Sequence, residues 1–200
     1  MRRIISQAEY AKKQKRNRTI LGIALLVIMM ISVVGYGFMD RGDDDSSTKK
    51  VIFNGLEFSN ANGFWVAKIN NLQFVFSNNP RDVMPIKESV NYADTYSGKP
   101  LYISYDDESA AREIYTNFNQ IAERIQQACL VNETCEDENL PLKDCTSNFI
   151  IIREITGNQT ENETETAPVI QNGSCVFIQG KRDNLLNITD GFLLKTLGLS

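Results

Sequence analysis

Apolar and polar positions along the chain change period several times. Residues 20–38 (ILGIALLVIMMISVVGYGF) carry no charge and present no polar face. At about 1.5 Å of rise per residue they suffice to cross a hydrocarbon core of roughly 30 Å. They predict a transmembrane helix, bounded at 20–39, between a short arm (1–19) and a charged linker (40–50, DRGDDDSSTKK) with too little apolar surface to fold.

From Val51 the period drops to two. Residues 51–58, 64–69 and 72–77 read as three strands, with Trp65, Ala67 and Ile69 on one face of the second and Leu72, Phe74 and Phe76 on one face of the third. Asn70-Asn71 tolerates the positive φ of a tight hairpin, so the strands form a meander. Phe53, Phe58, Phe64, Trp65, Phe74 and Phe76 could make a ligand platform, but their strand spacing fits a core. Residues 78–99 form an irregular connection, in which Asn79-Pro80 predicts a short helical turn through Val83.

Residues 101–105 predict a fourth strand, and a period near 3.6 follows it. Ala111, Ile114, Phe118, Ile121, Ile125 and Ala128 recur at steps of three and four, predicting one amphipathic helix over 108–129. Asp106 or Asp107 can cap it, and Glu108 complements its dipole. After a cysteine-bearing loop (130–144), residues 148–154 (NFIIIRE) predict a fifth strand covered on both faces. Residues 156–167 are a polar loop, 175–179 a sixth strand, and 189–197 a last helix stopped by Gly198. The order β-β-β-β-α-β-β-α predicts an α+β fold over 51–200, two α/β layers with the long helix on one mixed sheet. The crossover from 101 to 154 is right-handed if its strands are parallel. No internal repeat stands out.

Charge adds topology to this pattern. Seven Lys and Arg precede the apolar run, against three between it and Val51, which favours a cytoplasmic N-terminus and a domain outside. The run is longer than a signal-peptide core and lacks a small-x-small cleavage site, so an uncleaved anchor is expected. The basic arm fits contact with the lipid bilayer, the first partner expected. Residues 51–200 hold 11 basic and 20 acidic side chains, a net of −9, which argues against nucleic acid as a partner.

All four cysteines follow the span: Cys129, Cys135, Cys145 and Cys175. An even number in the segment placed outside predicts two disulfides. Three connectivities stand open, and the preferred one joins Cys129 to Cys135 and Cys145 to Cys175, because the last two can flank neighbouring strands. A zinc site would need closely spaced Cys-x-x-Cys pairs, which are absent. Asn132, Asn158, Asn162, Asn172 and Asn187 each begin an N-glycosylation sequon in the same segment, with Asn158 and Asn162 in a polar loop the best placed. Asn17 also matches, on the side expected to be inside.

The chain has no histidine, which removes Ser-His-Asp and Cys-His catalysis and His-ligated metals. It has no Gly-x-Ser-x-Gly elbow and no phosphate loop. The acids around Arg41-Gly42-Asp43 lack the spacing of a calcium loop and read as a solvated spacer. No catalytic, cofactor or metal residue is therefore assigned and no cofactor is expected. The leading expectation is a membrane-anchored binding or structural component of the cell envelope, with protein partners at the surface or in the membrane. Two alternatives are a carboxylate-dependent hydrolase or metal-binding domain at Asp106, Asp107 and Glu108, and an accessory subunit paired through Gly22, Ser32, Gly35 and Gly37.

Overall fold

A computed structural model describes residues 49–131, 133–135, 137–155 and 167–199. The expected arm and span, and most of the linker, lie outside these residues. Among the described ones no helix is long and apolar enough to cross a membrane.

Three turns at eight-residue spacing build the first sheet. Asn54-Gly55, Asn62-Gly63 and Asn70-Asn71 all have positive φ at both positions, as two-residue type I′ hairpins require. They join β1 (Lys50–Phe53), β2 (Leu56–Ala61), β3 (Phe64–Ile69) and β4 (Leu72–Phe76) into an antiparallel meander. The expected single strand over 51–58 is thus two strands, and the turns form a short repeat that the sequence reading missed. Both Asn-Gly pairs are strong hairpin signals. Phe58, Ala67 and Phe74 stand opposite one another across β2, β3 and β4 and are buried, whereas Phe64 points to the outer face and is 48 % exposed. The aromatic set is mostly core.

The second sheet contains β5 (Pro100–Tyr105), β6 (Arg124–Gln127), β9 (Phe149–Glu154), β10 (Val169–Asn172) and β11 (Cys175–Gly180), in the order β10-β11-β9-β5-β6. Its strands are parallel except for β10, which closes an edge antiparallel to β11. A two-stranded ladder, β7 (Cys129–Leu130) with β8 (Leu142–Lys143), lies in the cysteine-bearing loop. Phe149, Ile150, Ile151 and Ile152 are all fully buried, as expected of a strand covered on both faces.

Among the described residues two α-helices complete the fold: α1 (Glu108–Phe118) and α2 (Arg182–Thr196). The long helix expected over 108–129 ends at Phe118. Gly98 N–H bonds to Ile121 O, Glu123 N–H to Lys99 O, and residues 124–127 then pair with β5 as β6. Pairing the open edge of β5 outweighs the continued helical spacing of Ile125 and Ala128. The immediate crossover is therefore β5-α1-β6, with β9 taking the opposite side of β5. The last helix begins at Arg182, seven residues earlier than expected. It ends in a Schellman motif, with Gly198 at positive φ, Gly198 N–H bonding Lys195 O, and Leu199 N–H bonding Leu194 O. Asn79-Pro80 makes a turn with no helix, closed by Asp82 N–H on Asn79 O.

The layering also differs from two layers on one sheet. α1 touches both β4 of the meander and β5 of the mixed sheet, and α2 lies against α1, β9 and β11. One apolar core joins Phe58, Phe74 and Phe76 to Phe118, Phe192, Ile150 and Val176. Helix α2 is buried on nearly every face, which explains why its sequence lacks a clear apolar stripe. Gly191 lets the 83–86 segment cross directly over it, since a Cβ there would meet the Met84 carbonyl.

Candidate functional site

The parallel strands direct their carboxyl ends to one edge of the mixed sheet. The chain leaving β5 turns through α1 to β6 on one side, and the chain leaving β9 reaches β11 on the other. Where such connections diverge, the strand ends cannot be covered by either, and a crevice results. A cleft of about 680 Å³ opens here, lined by Ser104, Tyr105 and Asp106 at the end of β5, Gln127 to Cys129 at the end of β6, Arg153 at the end of β9, and residues of the 133–140 loop.

Arg153 organises the cleft. Its guanidinium donates to Ser104 Oγ at 2.9 Å, pairs with Asp106 at 3.6 Å and with Glu133, and also bonds the Ile152 carbonyl. Asp106 in turn accepts from the backbone N–H of Glu154 at 3.0 Å, tying the two strand ends together. Asp137 lines the same cleft. The Asn139 backbone N–H and side-chain amide hold its carboxyl below the usual carboxylate range. Three carboxylates and one guanidinium therefore face one solvent-accessible space. The arrangement can exchange ion pairs with an incoming charged group. Among the described residues no set of three metal-ligating side chains is gathered.

Of the three suspected acids, only Asp106 enters the cleft. Asp107 caps α1, accepting from Ala110 N–H at 2.8 Å, and lies 3.9 Å from Arg182. Glu108 is exposed and pairs with Arg112 one turn on. Arg153, Glu133 and Asp137 were missed. The signal for Arg153 was available: a cation closing an otherwise apolar strand.

Both cysteine pairs match the preferred connectivity. Cys129–Cys135 has its Cα atoms 6.1 Å apart and forms a wall of the cleft, and Cys145–Cys175 has its Cα atoms 4.8 Å apart and joins the loop to β11. Of the sequons, Asn132, Asn158 and Asn162 lie outside the described residues. Asn172 is exposed at the β10–β11 turn. Asn187 lies within α2, its amide accepting from Met84 N–H at 2.8 Å and donating to Asp82 O at 3.1 Å.

A second polar group lies between helices and meander, away from the cleft. β4 is an edge strand whose outward backbone would be unpaired. Gln120 donates to Gln73 O, Asn117 bonds both N–H and C=O of Val75 at 2.8 Å, and Glu113 accepts from Ser77 N–H and Oγ. At spacings of four and three these side chains act as a substitute strand along that edge. Asp190 on α2 accepts from the Asn78 N–H and side-chain amide, both at 2.9 Å. It is fully buried, and its carboxyl is pushed up to about 8 by burial first and by the neighbouring Glu113 second.

Comparison with known family models, curated proteins and solved structures finds no match to this chain.

Proposed function

We propose that the protein is a single-pass membrane-anchored protein whose α+β domain faces away from the cytosol and binds a protein partner at the cell envelope through the cleft at the ends of β5 and β9. The observation that carries the binding reading is the exchangeable network of Arg153 with Asp106 and Glu133, placed where the strand connections diverge. With three acids against one cation, the cleft favours a partner presenting ammonium or guanidinium groups. The anchoring rests on the uncharged run at 20–38 and on the basic residues before it. Two disulfides suit an oxidising compartment and add weaker support.

The compartment is tested in intact cells. A membrane-impermeant maleimide should label the protein only after an impermeant reductant has opened the disulfides. Labelling that needs permeabilisation instead places the domain inside. The binding face is tested by photo-crosslinking in the native membrane from Thr134, beside the cleft, and from Lys68 on the outer face of the meander. A discrete adduct from Thr134 alone supports the cleft. Adducts arising only from residues in 20–38 favour the accessory-subunit alternative through the helix.

The hydrolase reading keeps one of its three residues, because Asp106 lines the cleft. Under that reading, divalent cations raise the melting temperature of the native protein, and Asp106→Asn abolishes the rise. Equal melting with and without cations leaves it unsupported.

A further inference from the structure

We propose that a proton held on Asp190 and donated toward Glu113 makes a latch that holds the end of β4 against both helices, and that loss of this proton releases the meander. The geometry is that of a paired-carboxyl site sealed from solvent. Glu113 is 7 % exposed and Asp190 0 %. Both oxygens of Glu113 already accept from Ser77, at 2.7 Å and 3.0 Å. One oxygen of Asp190 accepts twice from Asn78, and the other, Oδ1, is buried with no donor from elsewhere in the protein. A proton on Oδ1 supplies what is missing, since the hydroxyl can then donate to the Glu113 carboxylate, which the adjacent residues Ser77 and Asn78 hold at the same end of β4. Two unprotonated carboxylates buried at the same strand end repel, and no cation is among the groups that act on Asp190.

The end of β4 presents Ser77 and Asn78, and the segment crossing Gly191 next to Asp190 presents Val83, Met84 and Ile86. The strands packed on α2 contribute Ile150, Ile152, Val176 and Ile178. Among the described residues, the neighbouring Glu113 adds to burial in disfavouring an ionised Asp190. The pair joins three elements: Glu113 from α1, Asp190 from α2, and both through adjacent residues at the end of β4. Opening this seam frees the meander edge without disturbing the mixed sheet.

The sign follows from linkage. The Asp190 carboxyl binds its proton more tightly folded than unfolded, so the stabilisation is complete in acid and declines as pH rises. The decline runs from the ordinary carboxyl range near 3.8 to about 8, and levels above. In that window each pH unit weakens closure of the seam by about tenfold.

The full-length chain in detergent micelles is the sample, and amide exchange between pH 6 and 9.5 the measurement. After correction for base catalysis, protection at Ser77 and Asn78 should fall about tenfold per unit up to pH 8 and then level, while β9 amides stay unchanged. The single tryptophan, Trp65 in β3, should report the same loosening by a red shift of its emission. Asp190→Asn, which keeps an acceptor for Asn78 and a donor for Glu113, should lose the dependence at both probes. A wild-type response no steeper than base catalysis, or an equal slope in Asp190→Asn, overturns the latch. If that variant does not fold, Glu113→Gln carries the test. Removing the second charge must move the levelling point to lower pH, and an unmoved point counts against the proposal.

Discussion

The two faces of the mixed sheet are held by different physics. Toward the helices, Leu101, Ile103, Ile150, Ile152, Val176 and Ile178 are fully buried in the main apolar core with Phe118 and Phe192. Toward the other side, Tyr102, Phe149, Ile151 and Cys175 form a smaller cluster beneath the 129–147 segment, whose described residues have the β7–β8 ladder as their only regular structure. A helix covers a sheet with a continuous apolar stripe, whereas an irregular chain brings few apolar side chains and leaves Leu142, at 62 % exposed, in solvent. Both disulfides lie on this poorer side. Covalent closure there replaces burial that the loop cannot supply, and the ends left uncovered become the cleft.

Neighbouring residues of β9 test this contrast most severely. Ile150→Ala opens a cavity in the close-packed helix side and should cost about 4 kcal/mol in chemical denaturation. Ile151→Ala, one residue on and equally buried, should cost less than half as much, because a loop collapses into a void more easily than a packed helix does. Equal losses would show that the two sides are equally rigid.

Removing Cys145–Cys175 by a double serine substitution should cost about 3.6 kcal/mol, given a sequence separation of 30 between the two cysteines. The pattern of loss matters more than its size. Amides of β7, β8 and β10 should exchange faster, while α1 and α2 keep their protection. Uniform loss over the domain would mean that the apolar side depends on the crosslink as well.

Asn117→Ala probes the polar seam between α1 and β4 on the helix side. It leaves the N–H and C=O of Val75 without partners at the edge of β4, and should cost about 2 kcal/mol. Fast exchange of the Val75 amide checks the cause. Arg153→Ala should be the mildest, under about 1 kcal/mol, since its ion pairs are partly solvated. Its effect belongs in the cleft, and the crosslinking yield from Thr134 should fall while the melting temperature barely moves.

Much of the local structure was legible from spacing and turn chemistry. Alternation located β3, β4 and β5, the run Phe149-Ile150-Ile151-Ile152 announced a doubly covered strand, and Gly198 marked the end of α2. The split of 51–58 was also legible, in Asn54-Gly55, and was overlooked. The end of α1 was not, because Ile121, Ile125 and Ala128 satisfy helical spacing equally well once the residues between them become a turn and a strand. Of the suspected site, Asp107 was legible as a cap, while nothing local distinguishes the acid that enters the cleft from the one that faces solvent.

The sequence by itself decided which residues turn, which alternate, and where cysteines and charges fall, because each depends on backbone preferences and neighbours a few residues away. Tertiary structure decided what those elements meet. The open edge of β5 drew residues 124–127 out of the helical pattern, the bare edge of β4 selected Glu113, Asn117 and Gln120, and burial brought Glu113 beside Asp190 across 77 positions of sequence. Unpaired backbone and buried charge are properties of a folded surface, so no local pattern along the chain can declare their partners.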